Sequence, residues 1–259
     1  MIEIVSGGHR RVSQPDFSRL SEGYTPAGPQ DRYSCRMTNR LLGNRDDEEA
    51  IEFTLAPAKF RVTSTCRIAV GGAPCEITVN DSPVADWTVI EVAAGSTVQI
   101  KIGQTGCRVY VGIAKHFDKA LVGRTRSEIN TAWEPKLGTL RILPGPEATD
   151  AALSQLTTTT WEVGCQSSGM GLRLIGEPLQ LERYDITSSP VQDGTIQATK
   201  NGLLALLRQR GTLGGYPRVA TVIDSDVDRL AQFRPESRVK LEVVSQDRAR
   251  ELYRLQMRT

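Results

Sequence analysis

The apolar positions of this chain alternate with polar ones far more often than they repeat every three or four residues. The runs FRVTSTCRIAV (60–70), EITVN (76–80), DWTVIEV (86–92), STVQIKI (96–102) and CRVYVGIA (107–114) are short and rich in Val, Ile and Thr. Gly, Pro, Asn and Asp separate them, the spacing expected of strands in a barrel or sandwich. The opening MIEIVSGGHRRV alternates in the same way, and ITVNDSPVADW predicts a hairpin turning on Asn80-Asp81-Ser82-Pro83. Helical periodicity is confined to three stretches. DRYSCRMTNRLL (31–42) gathers Tyr33, Met37, Leu41 and Leu42 on one side, with Asp31 at the N-cap and Gly43-Asn44 as a stop. Residues 225–233 predict a second helix, N-capped by Ser225, with Asp226 and Asp228 at its positive end and Leu230 and Phe233 turned inward. Asn201 to Arg208 is a third, less regular candidate.

LRILPGPEATD (140–150) breaks the succession of strands, because Pro144-Gly145-Pro146 cannot continue a ladder. WEVGCQSSGMGLRLIGEPLQL then opens a second group with similar punctuation. The expected organisation is therefore mostly β with a few short helices, in two halves, residues 1–142 and 143–259.

Composition narrows the function classes. The 32 basic and 30 acidic side chains give a formal charge of +2 with no basic block, and aromatics are 5% of the chain. Neither a nucleic-acid stacking surface nor a membrane partner is expected, since no apolar run approaches about 18 residues. The N-terminal residues lack the apolar core of a secretory signal, which points to the cytoplasm. Cys35, Cys66, Cys75, Cys107 and Cys165 are widely spaced without a C-x-x-C, and His9 and His116 are the only histidines. That pattern predicts reduced, buried thiols and no metal site.

The segment from Pro190 to Leu230 holds the most unusual chemistry. Gln197 carries an amide able to donate and accept at once, suited to a carboxylate or amide ligand. Gly214-Gly215-Tyr216-Pro217 lets the backbone approach a ligand closely, with a phenol beside it. Arg208, Arg210 and Arg218 are near enough in sequence to neutralise an anion. A glycine-punctuated strand connection with a core tyrosine and solvated arginines accounts for the same residues. Gly28-Pro29-Gln30-Asp31-Arg32, Asn39, Asn44 and Glu52 form a second polar cluster in which caps and turns are equally good readings. Ser167-Ser168-Gly169-Met170-Gly171 suggests a tight bend beside an exposed Arg173. Neither G-x-x-x-x-G-K-[ST] nor G-x-S-x-G occurs, so a P-loop and a serine-hydrolase elbow are not expected.

Together these clusters resemble the biotin-dependent carboxyltransferase family, which includes the second allophanate-hydrolase-type subunit, KipA and the C component of 5-oxoprolinase. GPQDRYSCRMTNRLLGN (28–44) with EEAIEFTL (48–55) resembles its opening signature. AVGGAPCEITVNDSPVADW (69–87) resembles its hairpin, LPGPEAT (143–149) its junction and SSGMGLRLIGEPL (167–179) its S-D-R-M-G-Y-R-L motif. The most specific likeness is SSPVQDGTIQATKNG with LLRQRGTLGGYPRVATVIDSDVDRLAQF, within 188–233. The resemblance implies two cyclophilin-like β-barrel halves. It implies a partner resembling KipI or the B component of 5-oxoprolinase, with a protein like the A component in some complexes. It implies a small-molecule amide, lactam or carboxylate as substrate. No cofactor is expected on this chain alone, with ATP or biotin acting through partner subunits. Asp31, Gln197, Lys200 and Tyr216 are the implied catalytic residues; Arg32, Asn39, Arg173, Thr212, Gly214 and Gly215 would contact substrate.

The departures from the family pattern are local. The chain is shorter after Ala114, where Lys115-His116-Phe117-Asp118 replaces a Gly-Gly pair. Gly169 stands where the pattern has Arg, and SQPDFSRL (13–20) replaces V-Q-D-x-G-R. Two functions therefore stand side by side: an enzyme subunit that completes its site with a partner, and a regulatory partner of a KipI-like protein that keeps the fold but not the catalysis.

Overall fold

A computed structural model describes residues 1–116, 119–129 and 138–258. Phe117 and Asp118 of the Lys115–Asp118 departure lie outside the described residues. The chain divides into two compact units. The first comprises Met1–Gln14 and Asp31–Ala132, the second Pro15–Gln30 and Trp133–Arg258.

The first unit is built from two five-stranded sheets. One runs β1 (Ile2–Ser6), β4 (Ala58–Val62), β9 (Thr97–Ile102), β6 (Cys75–Val79) and β7 (Ser82–Val84). The other runs β2 (His9–Val12), β3 (Ala50–Thr54), β10 (Arg108–Ile113), β5 (Cys66–Gly72) and β8 (Ile90–Val92). Alternation does its work here: Phe60, Val98, Ile100, Ile68, Val70, Val109 and Val111 enter one shared core cluster. The 60–70 run is two strands rather than one, because residues 63–65 form the connection between β4 and β5. The expected hairpin is β6–β7, with Val79 opposite Ser82 and a two-residue loop of Asn80 (φ 49°) and Asp81 (φ 65°). Asn and Asp tolerate that left-handed geometry, which a two-residue hairpin of the primed type requires at both positions. Helix α1 (Arg32–Leu41) packs on this unit, burying Tyr33, Met37 and Leu41 as its periodicity predicts, with Leu42 buried just beyond. Gly43 ends it at φ 67°.

The second unit closes as a barrel. Its order is β11 (Thr139–Pro144), β18 (Arg218–Val222), β15 (Thr195–Thr199), β16 (Gly202–Leu206), β13 (Gly171–Ile175), β12 (Trp161–Val163) and β19 (Arg238–Val243). Closure is made by the parallel pairing of β19 with β11, Leu241 opposite Leu140. A separate ribbon joins β14 (Ser189–Pro190) to β17 (Leu213–Gly214). Large and small apolar residues face each other inside, as in Ala198 opposite Leu203 and Leu172 opposite Ala205. Helix α2 (Asp150–Thr158), capped by Thr149, sends the Leu156 carbonyl to the buried Trp161 indole at 3.1 Å. Helices α3 (Asp224–Leu230) and α4 (Gln246–Arg258) complete the unit. The expected break is corrected: Pro144 is still the last residue of β11, opposite Ala220, and β11 before Gly145-Pro146 already belongs to the barrel of the second unit. A Cβ on Gly145 would sit 2.1 Å from the Arg218 carbonyl, so only glycine passes there.

Three further expectations are corrected. Asn201 to Arg208 is not a helix: Gly202–Leu206 is strand β16, because Leu203 and Ala205 fill the barrel interior and Gly202 (φ 109°) turns the chain back from β15. Ser225 does not cap α3. Ile223 holds the N-cap position without a side-chain bond, and Ser225 lies within the helix, its buried Oγ without a hydrogen-bond partner among the described residues. The thiols are free, but only Cys35, Cys66 and Cys107 are buried; Cys75 is half-buried and Cys165 exposed. Among the described residues no helix is long and apolar enough to cross a membrane.

Candidate functional site

The second unit gathers part of the expected site on the outside of its barrel. Arg173 on β13, Leu204 on β16 and Gln197 on β15 occupy one register row, and their neighbours Leu172, Leu174, Leu203, Ala205, Ile196 and Ala198 point into the core. Residues of a strand alternate between faces, so the three side chains of the row face outward. Arg173 is exposed, whereas Gln197 is only 2% exposed. The loop that follows β17 is what covers Gln197.

A register shift creates that loop. Ile196 pairs with Ala220, but Gln197 pairs with Arg218, so β18 carries an extra residue opposite this step. A bulge of this kind bends its strand and re-aims adjacent side chains. Here it delivers Gly215-Tyr216-Pro217 over Gln197. The Gln197 amide donates to the Tyr216 carbonyl at 3.3 Å, and the Ala198 N–H to the Pro217 carbonyl at 2.9 Å. Gly214 is required by packing, since a Cβ there would lie 2.3 Å from Gln197 Nε2. Ile186 N–H bonds the Gly215 carbonyl and Val191 N–H the Thr212 carbonyl, which ties both ends of the loop down. Tyr216 is 42% exposed. Gln197, Thr212, Gly214, Gly215 and Tyr216 thus form one constellation. Lys200 stands apart, exposed in the turn between β15 and β16.

The three arginines expected to meet an anion are otherwise engaged. Arg218 forks onto Glu147 at 2.7 and 3.0 Å and also reaches the Pro190 carbonyl. Its guanidinium holds the Glu147 carboxyl below the usual range. Arg210 pairs with Asp193 at 3.0 Å. Arg208, 5% exposed, binds Asp193 at 3.0 Å and Asp228 at 2.8 Å. Sequence proximity could not reveal these partners, which lie 15 to 71 residues away.

A buried clamp around Arg208 has no local signal in the sequence. The Gln30 side chain accepts from Arg208 N–H at 3.1 Å and donates to the Gly169 carbonyl at 2.8 Å, while the Gln30 carbonyl accepts from Arg208 Nε at 3.0 Å. Three of the signature segments therefore meet at Gln30. Beside Gly169 the space is taken by the Gln209 amide: a Cβ would fall 1.9 Å from Gln209 Oε1, so any side chain there would displace it.

In the first unit the expected polar residues serve the ends of α1. Asp31 is 2% exposed and caps the helix, its carboxylate accepting from Ser34 N–H at 2.8 Å and Ser34 Oγ at 2.7 Å. Its own N–H donates to Tyr110 Oη at 2.8 Å, and Tyr110 donates to Glu52 at 2.7 Å. Arg10 forks onto the same Glu52. Burial, and then the Glu52 and Asp31 charges, push the Tyr110 phenol well above its ordinary range, so it stays a donor. Asn39 is fully buried; its amide donates to the Glu48 carbonyl and accepts from Asn44. Arg32 is the half-buried first residue of α1.

Comparisons agree over nearly the whole length. The C component of 5-oxoprolinase from Haemophilus influenzae is 28% identical over 295 positions, covering 98% of this chain and 94% of that protein. The same component from Escherichia coli is 27% identical, covering 90% and 88%. Among solved structures, the Kluyveromyces lactis urea carboxylase superposes with a TM-score of 0.85 at 20% identity, over 99% of this chain and 28% of that one. The protein TTHA0988 superposes at 0.80 and 22% identity, and this chain spans 55% of its length. The model of the carboxyltransferase domain, subdomain A and B, matches residues 22–138 and 122–243, and the chain belongs to that family.

Proposed function

We propose that this chain is one subunit of a heteromeric enzyme acting on a small amide, lactam or carboxylate, as in ATP-dependent hydrolysis of 5-oxoproline or carboxyl transfer. Its partner is a KipI-like protein of the kind that forms the B component of 5-oxoprolinase. In some assemblies a protein like the A component joins them, and the setting is the cytoplasm. The observation that carries the proposal is the match to the 5-oxoprolinase C component along 98% of this chain and 94% of the relative, with both glycines of the Tyr216 loop in place. With no P-loop sequence in this chain, ATP belongs on a partner, as does biotin where carboxyl transfer is the reaction.

In this reading the loop, not Gln197 directly, meets the substrate. Gln197 is a positioning residue that fixes the Gly214–Tyr216 backbone from below. The loop and the Tyr216 side chain face the ligand, and Arg173, in the same register row as Gln197, supplies positive charge toward a carboxylate. Preorganised dipoles and cations of this kind stabilise charge that develops on an oxygen without reorganising. Reconstitution with proteins like the A and B components, assayed for ATP-dependent opening of 5-oxo-L-proline, tests it. Tyr216→Phe and Gln197→Ala should each lower turnover about tenfold or more. Unchanged turnover in both variants would remove the loop from the site.

One observation favours a second reading. Gly169 carries no side chain where the family pattern has Arg, and the Gln209 amide occupies the space beside it. A catalytically weakened partner of a KipI-like protein, an antagonist of a kinase inhibitor, fits that loss. Stable co-purification with such a protein, without hydrolysis, would select it.

A further inference from the structure

The Tyr216 loop is held differently at its two ends. Its entrance runs in a ribbon, with Leu213 opposite Pro190 and Gly214 opposite Ser189. Its exit runs into the bulge of β18, where Val219 and Ala220, adjacent in sequence, both enter the barrel core. Strand alternation alone does not allow two successive side chains on one face. The turn that follows β11 closes over this irregular step. Gly145 N–H donates to the Val219 carbonyl at 3.1 Å, and Glu147 N–H to the Arg218 carbonyl at 3.2 Å. The Glu147 carboxylate returns the contact. One of its oxygens accepts from Arg218 N–H at 2.8 Å and from Arg218 Nε at 3.0 Å, and the other from Nη2 at 2.7 Å. Arg218 Nη1 then donates at 3.1 Å to the carbonyl of Pro190, the residue paired with Leu213, so this side chain joins the exit of the loop to its entrance.

We infer that Glu147 is a positioning residue for the proposed reaction: through Arg218 it fixes the bulge from which Gly215-Tyr216-Pro217 is laid over Gln197. The inference rests on the reading that this loop meets the substrate; Glu147 acts through Arg218 rather than on the substrate. Three donors from one residue converge on the carboxylate, and charge-assisted bonds of this kind are stronger and more directional than neutral ones. The Glu147 and Arg218 side chains are 28% and 21% exposed, so the pair adds little to overall stability and more to local geometry. Geometry is what a site feels most, since a displacement on the order of 1 Å can cost about a hundredfold in rate.

Amide hydrogen exchange of the full chain reads the loop directly, because Ile186 N–H donates to the Gly215 carbonyl and Ala198 N–H to the Pro217 carbonyl. Glu147→Gln keeps the size of the side chain but cannot accept from all three donors. It should speed exchange at those two amides about tenfold and leave the amides of β12 and β13 unchanged. Glu147→Ala should speed it further, and the Gln variant keeps the test decisive if the Ala variant misfolds. In the complex reconstituted with proteins like the A and B components, Glu147→Gln should lower kcat about tenfold at nearly unchanged KM. A purely structural role would lower the melting temperature and leave both constants of the folded protein as they are. Unchanged exchange at Ile186 and Ala198 would overturn the inference, as would unchanged turnover in Glu147→Gln where Tyr216→Phe lowers it. Turnover unaffected by Tyr216→Phe and Gln197→Ala as well would remove the loop from the site, and the inference would fall with that reading even if exchange rose.

Discussion

Arg208 is an almost fully buried cation whose hydrogen bonds reach two carboxylates and the Gln30 main chain. Burial opposes its charge, and Asp228 and Asp193 more than restore it. Removing one side of such a pair leaves buried charge unanswered, a loss of about 3–5 kcal/mol. Arg208→Ala should lower unfolding stability by that amount in a denaturant titration, far more than truncating the exposed Arg248. A change below about 1 kcal/mol would mean that water replaces the guanidinium. The cysteines give a second residue-scale test. Burial pushes the Cys75 thiol up to about 12, so at pH 8 its thiolate fraction is on the order of one in ten thousand. Brief alkylation of the folded chain at pH 8, read by peptide mass spectrometry, should modify Cys165 and spare the other four. Residues of this kind were only half legible in the sequence. Gln30 stood out beside a cap and Arg208 as a possible anion ligand, but the bond between them spans 178 positions, and no local pattern records it.

At the scale of elements, legibility followed locality. Helix α1 was readable because its cap, apolar stripe and glycine stop all lie within thirteen residues of each other and agree. The β6–β7 hairpin was readable for the same reason. Strand β16 misled because LLALL suits a helix as well as a fully buried strand, and only the barrel decides between them. Helix α3 was found with the wrong start: its acids are there to meet Arg141, Arg229 and Arg208 rather than to follow a serine cap. The Asp31 cap permits a test that separates structure from chemistry. Asp31→Ala leaves Ser34 N–H and Oγ without their acceptor and should cost about 1–2 kcal/mol. Asp31→Asn keeps an acceptor oxygen and should stay within about 0.5 kcal/mol of the parent. Turnover of the reconstituted complex should survive Asp31→Asn. Lost turnover at preserved stability would instead identify Asp31 as a general base.

At the scale of the whole molecule, the two β-rich halves were visible as two groups of strands, but the exchange of Pro15–Gln30 was not. That segment belongs to the second unit although more than a hundred residues of the first follow it. Its contribution is specific at Gln30, which satisfies Arg208 N–H and Nε and the Gly169 carbonyl. A fragment of residues 133–259 alone would therefore keep its barrel sequence yet expose those buried groups. Three hydrogen bonds, each worth about 0.5–1.5 kcal/mol and more where a buried donor is stranded, put the shortfall at about 2–4 kcal/mol. The fragment should melt at a lower temperature than the intact chain, and an amidated peptide of residues 15–30 should raise that temperature saturably. The same peptide with Gln30→Ala should raise it much less. If the two peptides acted alike, the clamp would contribute nothing and the segment would bind through its other residues. If neither acted, the barrel would be complete without it, and the link between the 28–32, 167–171 and 207–216 signatures would be incidental. The expected result makes that link the reason a terminal segment and two distant loops carry one pattern.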